Sequence, residues 1–333
     1  MKVQVINQEE ALRLLPMAAC IEVMERVFAS LERGAAINPL RQTMWLPEKD
    51  GLLGMMPAYL GSSQVMGVKV ISVFPGNHST EFDSHQGAVL LFDAQHGGML
   101  AIINASAITA VRTAAVSALA TRLLARPEAG DLAILGAGVQ AHTHLEAMQL
   151  VRDIRRVRVW NRTRARAEGL AQDAGERHGV EVEVMESAQE AVEGAEIVCT
   201  TTASSEPVLL GEWLAPGVHI NAVGSSVPFA RELDTEAVVR SRLYVDKREA
   251  ALNEAGEYIF AKRDQAVTAS HIQGELGEVL LGEAPGRQSE QDITVFKSLG
   301  LAIEDLACAD YIYKEAIEAG LGMAVDLGGK RYV

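Results

Sequence analysis

A short apolar strand, Leu132 to Leu135, runs into Gly136-Ala-Gly138-Val-Gln140-Ala141, where a helical pattern opens at Gln140. That order suits a dinucleotide pyrophosphate. Gly136 allows the tight turn, Gly138 lets the backbone approach the phosphates, and small Ala141 lets helix and strand pack closely. The helix N-terminus adds free N–H groups and a partial positive charge. The first expected cofactor contacts are therefore Gly136, Gly138, Val139 and Gln140. The next strand, Val157 to Trp160, ends in Asn161-Arg162-Thr163, with Arg164 and Arg166 just beyond. In NAD-preferring folds an acidic residue at this strand end accepts from the ribose 2′-hydroxyl. None stands here, whereas an arginine fork and a hydroxyl would bind a 2′-phosphate. The expected cofactor is NADPH, with NADH possible; the other reading is a solvated, Arg-rich helix start.

Three cations outside this segment could grip an anionic substrate. Lys69 interrupts an apolar strand, Gly67-Val-Lys69-Val-Ile71, and reads either as a substrate group or as an edge-strand lysine reaching solvent. Arg112 sits on an Ala-rich helix and reads either as a substrate group or as half of a structural ion pair. Arg41 opens a strand after Pro39. Composition alone does not rank them. A phosphate loop of the Gly-x-x-x-x-Gly-Lys kind, Cys-x-x-Cys, His-Glu-x-x-His and a Gly-x-Ser-x-Gly elbow are all absent. His142 and His144 lie two apart, so they do not share a helix face, and no metal is expected.

The elements that must position these residues fall into two patterns. Up to about residue 104, strand-like runs follow one another: Leu40 to Leu46, Leu52 to Leu60, Val65 to Phe74, Ala88 to Phe92 and Met99 to Asn104. Turn signals separate them, among them Lys49-Asp50-Gly51 and Gly97-Gly98. A helix from about Met17 to Arg33 precedes them, and Asn7 with Glu10 marks an earlier helix start. Short turns between successive strands predict a mostly antiparallel sheet in an α+β domain. From Ser106 a helical period takes over and ends before Pro127. Strands at 131–135, 157–161, 181–185, 196–201, 218–223 and 242–246 then alternate with helices, which predicts a doubly wound parallel sheet of Rossmann type. A last helix, about Leu299 to Ala319, could belong to either domain.

The 333 residues suffice for two domains. Thirty Lys and Arg against 44 Asp and Glu give a net charge of −14, which argues against nucleic acid or an anionic membrane as partner. A site for an anion must therefore supply its own cations. No apolar run reads as long enough to span a membrane, and no signal peptide is evident. Cys20, Cys199 and Cys308 are scattered and apolar in setting; reduced thiols and a cytoplasmic location are expected.

Taken together, several segments resemble the ornithine cyclodeaminase/mu-crystallin family. They include Gly54-Met-Met-Pro57-Ala-Tyr59, Ile108-Thr-Ala-Val-Arg112-Thr-Ala-Ala115, the glycine turn up to Ala141, and Trp160-Asn-Arg-Thr163. Further on come Glu206-Pro207, His219-Ile-Asn-Ala-Val-Gly224, Arg231-Glu-Leu-Asp234, Tyr244-Val-Asp246 and Thr294-Val-Phe-Lys-Ser-Leu-Gly300. They span almost the whole chain in order. Within the family the likeness is closer to the mu-crystallin branch, which is an NADPH-dependent ketimine reductase. The resemblance implies a homodimer whose substrate-binding and dimerisation domain comprises residues 1–115 with 305–333. Residues 116–304 would form the Rossmann domain. It also implies that Arg41, Lys69 and Arg112 receive a substrate carboxylate. The cofactor-binding set then extends through Asn161, Arg162, Thr163, Thr201 and Val223 to Ser226 and Ser298, the two serines bordering the nicotinamide end.

Cyclodeaminases of the family carry an Asp where this chain has Ser226, and a Glu near Gly54. Cyclising ornithine needs such carboxylates to hold and deprotonate the second amine. The expected reaction is instead reduction of a cyclic ketimine, Δ1-piperideine-2-carboxylate or Δ1-pyrroline-2-carboxylate, to the L-amino acid. Arg112 and Arg41 would clamp the carboxylate while Lys69 protonates the imine nitrogen. Alternatives are ornithine cyclodeaminase or alanine dehydrogenase activity on the same frame, or a non-catalytic NADPH-bound carrier of a small acid.

Overall fold

The computed structural model describes residues 2–48 and 50–329. The Lys49 part of the expected turn and the expected domain end at 330–333 lie outside the described residues. The chain divides into two compact units: one runs to Arg112 and resumes at Leu301, and the other is Thr113–Gly300.

The first unit opens with β1 (Lys2–Ile6), α1 (Gln8–Leu14) and α2 (Met17–Glu32). Asn7 Oδ1 accepts from the Glu10 N–H at 3.0 Å while the Glu10 carboxylate accepts from the Asn7 N–H at 3.1 Å. This is the reciprocal cap that the spacing predicts. Then come β2 (Ala36–Ile37), β3 (Gln42–Trp45), β4 (Leu52–Leu60), β5 (Val65–Val73), β6 (His85–Asp93), β7 (Met99–Asn104) and α3 (Ala105–Leu124). The unit boundary falls inside α3, whose start is fixed by Asn104 Oδ1 accepting from the Ala107 N–H at 2.9 Å. α3 also corrects an expectation, because by length and composition it could cross a membrane. Most of it is buried and it carries Arg112, as a core helix of a folded domain does.

The second unit holds β8 (Asp131–Leu135), α4 (Val139–Val151), β9 (Arg156–Trp160), α5 (Arg164–His178), β10 (Val182–Val184), α6 (Ala188–Val192) and β11 (Ile197–Thr200). It continues with β12 (His219–Ala222), α7 (Thr235–Arg240), β13 (Arg242–Val245), α8 (Arg248–Glu254), α9 (Gly256–Arg263), β14 (Ile272–Glu275), α10 (Leu276–Leu281) and β15 (Thr294–Lys297). All eight strands are parallel, in the order β10-β9-β8-β11-β12-β15-β13-β14. The chain winds outward from β8 to β10, then returns and winds the other way from β11. The fold is thus α/β and doubly wound, with its switch point between β8 and β11.

Two buried histidines tie this unit's stability to pH. His144 Nδ1 donates to the Gln140 carbonyl at 2.7 Å, which leaves Nε2 to accept from Ser117 at 2.9 Å. Burial pushes His144 down to about 4 and His219 down to about 3 from the usual 6.5. The unfolded chain therefore binds more protons between these values, so stability falls as pH drops from 6.5. His144 alone should contribute a loss on the order of 3 kcal/mol by pH 4. Thermal melts of His144→Asn should show a flatter acid limb than the wild type; parallel limbs would refute the assignment.

The chain then returns to the first unit as α11 (Ala302–Ala319) and β16 (Met323–Asp326). The first unit's sheet runs β16-β1-β7-β6-β5-β4-β2, with β3 paired to β4. β1 lies parallel to β7 and antiparallel to β16, although its sequence reads only as a lead-in to a helix. Along β5 the buried side chains are Val65, Lys69 and Ile71. α11 packs on β4, β5 and α2.

Candidate functional site

Lys69 does not lie on an edge. β5 is bonded along its whole length to β4 and to β6, with Lys69 opposite Met56 and Val89. Only 3% of the residue is exposed, so the solvent-reaching reading is wrong. Its Nζ donates to Thr109 Oγ1 at 2.6 Å and to Asp305 Oδ1 at 3.0 Å. Thr109 lies on α3 one turn before Arg112, and its hydroxyl donates a hydrogen bond to the Ala105 carbonyl at 2.8 Å.

Arg112 is buried as well, and it is ion-paired. Nη1 donates to Glu304 Oε2 at 2.9 Å and Nε to Asp305 Oδ1 at 3.3 Å. The structural reading of Arg112 thus describes part of what it does. These bonds use two of the five guanidinium N–H groups, and Lys69 uses two of its three. Donors remain on both residues for a planar anion. Arg41, half-buried just before β3, is close enough for its charge to act on Lys69.

Burial lowers the pKa of Lys69, Asp305 raises it, and Arg112 and Arg41 lower it further; the net shift is downward. For Arg112, burial also opposes the charge, but Asp305 and Glu304 outweigh it and the net shift is upward. Lys69 and Arg112 thus meet two buried carboxylates, Asp305 and Glu304. The sequence reading missed both acids. Glu304 and Asp305 open a helix, where acidic residues ordinarily sit in solvent and complement the dipole. Here neither has measurable exposure.

In the second unit, Gly136 turns with φ +118°, and a Cβ there would meet Thr201 Oγ1 at 2.7 Å and the Thr201 carbonyl at 2.8 Å. Gly138 heads α4 without a side-chain cap and faces open space. Val139, at the first turn, is 65% exposed, and Gln140 follows it half-buried. A helix start with an uncapped N-terminus beside a glycine without a neighbour fits a pyrophosphate. Thr201 follows β11, its N–H bonded to the Leu135 carbonyl at 2.8 Å. Val223 and Ser226 follow β12, and Ser298 follows β15 with its N–H on the Ala222 carbonyl at 3.0 Å. All four stand at carboxyl ends of parallel strands, the side on which such sheets bind ligands.

Asn161 closes a small turn by donating to the Thr163 carbonyl at 2.9 Å. Arg164 is already engaged by Glu168 and Glu186. Arg162 and Arg166 are exposed and, among the described residues, carry no ion pair. Sequence reading also missed Glu232. This buried carboxylate accepts from Thr200 and Thr202 hydroxyls and from the Thr202 and Gly224 N–H groups, all between 2.6 and 2.7 Å. It ties the turn after β11 to the turn after β12. No group of three or more potential metal-binding side chains occurs among the described residues.

A doubly wound parallel sheet with this glycine turn defines a dinucleotide-binding protein of Rossmann type, here joined to a unit carrying a buried cation fork. More narrowly, the chain belongs to the ornithine cyclodeaminase/mu-crystallin family, whose profile matches residues 1–320. It is 44% identical over 296 residues to the mouse ketimine reductase mu-crystallin, covering 88% of this chain and 90% of that one. The structure of Δ1-pyrroline-2-carboxylate reductase from Thermococcus litoralis, in complex with NADH and L-proline, superposes with TM-score 0.95 at 38% identity. That match covers 97% of this chain and all of the other. An archaeal alanine dehydrogenase dimer with bound NAD superposes at TM-score 0.93 and 30% identity, over 98% of this chain and 100% of that chain.

Proposed function

We propose that this protein is an NADPH-dependent ketimine reductase that converts Δ1-pyrroline-2-carboxylate and Δ1-piperideine-2-carboxylate to L-proline and L-pipecolate. The observation that carries this reading is the buried pair Lys69 and Arg112, each with unused N–H donors. Arg112 and Arg41 bind the substrate carboxylate, and Lys69 both binds it and protonates the ring nitrogen, which makes the adjacent carbon electrophilic. The bound nicotinamide supplies the hydride chemistry. A lowered Lys69 pKa favours proton release to the substrate. Relatives that bind NADH with L-proline, or are ketimine reductases, support the same assignment.

Ser226 supports reduction over ornithine cyclisation, because it offers no carboxylate to deprotonate a second amine. The test is cofactor oxidation by purified protein with each cyclic imine, and with pyruvate plus ammonia. Imine turnover supports the reading. Ammonia-dependent alanine formation alone would make it an alanine dehydrogenase. Cofactor binding without any hydride transfer would make it a carrier.

The unpaired Arg162 favours NADPH, since a 2′-phosphate gains a charge-assisted bond there. Arg162→Ser is expected to weaken NADPH binding about tenfold or more and leave NADH binding nearly unchanged. Equal losses for both cofactors in a fluorescence titration would contradict this. A homodimer is part of the proposal. Met55, Met66 and Ile37 stand exposed on the first unit, and Pro57, Tyr59, Val68 and Phe92 line an apolar groove among them. A cytoplasmic setting is supported by three buried cysteines that form no disulfide among the described residues.

A further inference from the structure

Asp305 has an arrangement that packing alone does not call for. One oxygen, Oδ1, serves both Lys69 Nζ and Arg112 Nε, while Oδ2 is buried with no hydrogen-bond partner among the described residues. Interiors rarely leave a carboxylate oxygen unmet. Two other charges act against the Lys69 ammonium: Arg112 on α3 and Arg41 before β3 repel it. Thr109 offers only a neutral hydroxyl. Lys69 has no hydrogen bond to Glu304, whose carboxylate takes Arg112 Nη1.

We propose that Asp305 is a positioning residue for the reaction: its shared oxygen sets the spacing of Lys69 and Arg112 and keeps Lys69 a charged proton donor in a buried site. The reductase reading supplies the use of that proton; the arrangement of the three side chains does not depend on it. Glu304 then has a separable task, holding Arg112 for the substrate carboxylate. Losing Asp305 should change when Lys69 gives up its proton. Losing Glu304 should change how well the carboxylate binds.

The test uses full-length protein labelled with 13C-lysine, with the Lys69 Cε signal assigned through Lys69→Met. In Asp305→Asn the Lys69 titration midpoint should move to lower pH by about one to three units, since a neighbouring opposite charge has been removed. The basic limb of kcat/KM for the imine should move with it. Glu304→Gln should leave the midpoint in place and raise KM. Asp305→Glu, which keeps the charge on a longer arm, should recover most of the midpoint and part of kcat; it also serves if Asp305→Asn does not fold. A Lys69 midpoint and pH profile unmoved in Asp305→Asn would overturn the proposal, as would an Asp305→Glu protein whose midpoint and kcat both match the wild type. If the midpoint moves as expected but no variant, nor the wild type, reduces an imine, the reductase reading fails and the role of Asp305 stands.

Discussion

Replacing Lys69 by methionine should cut kcat/KM for a cyclic imine about a thousandfold, the range lost when a proton donor and a carboxylate contact vanish together. Methionine keeps most of the buried stem and removes the charge. Asp305 still holds Arg112 in this variant, so the fold should survive, and cofactor binding by the second unit reports on that independently. Lys69→Arg separates the two roles. Arginine keeps a cation for the carboxylate but does not release its proton, so KM should stay within a few-fold while kcat remains depressed. The wild-type rate should decline as pH rises through a value below the 10.5 of an ordinary lysine, because burial and the neighbouring arginines lower the pKa. Lys69→Arg should lack that decline. If Lys69→Met retained efficiency within about tenfold of wild type, the cluster would not be where a proton is delivered.

How far the sequence could be read depended on whether each signal was local. The glycine turn, the Asn7–Glu10 cap and the strand at 131–135 were legible because each is written within a few neighbouring residues. β1 was not. Its partners are β7 and β16, and β16 lies some 320 residues further along, so nothing near Val3 announces a strand. β14 and β15 went unread for a related reason. β15 inserts between β12 and β13 after both have formed in sequence, at a position that alternation of strand and helix does not foretell. The cations of the site were visible as charges in apolar surroundings. Their counter-charges were not, since Glu304 and Asp305 look like any acidic first turn until α11 is laid on β5. Local pattern therefore named the groups able to bind an anion and left open the groups that set their protonation.

The second large effect is expected at two glycines two positions apart, whose substitution should fail in different ways. At Gly136 the backbone is held at φ +118°, and a methyl group would enter Thr201 at 2.7 to 2.8 Å. Gly136→Ala thus combines backbone strain with overpacking, together on the order of 2–5 kcal/mol, and should lower Tm even without cofactor. Relief of that clash would move the turn after β8 away from the one after β11. Gly138 is the opposite case. Its φ of −96° suits alanine, and a Cβ there meets no atom within 4 Å. Gly138→Ala should leave the cofactor-free Tm unchanged. Its methyl group would instead occupy the space at the α4 N-terminus that a pyrophosphate needs, weakening NADPH binding about a hundredfold or more. Both variants should lose activity, but only the first should lose stability. The space before α4 is the coenzyme's if affinity falls in Gly138→Ala at constant Tm; unchanged affinity there would place the phosphates elsewhere.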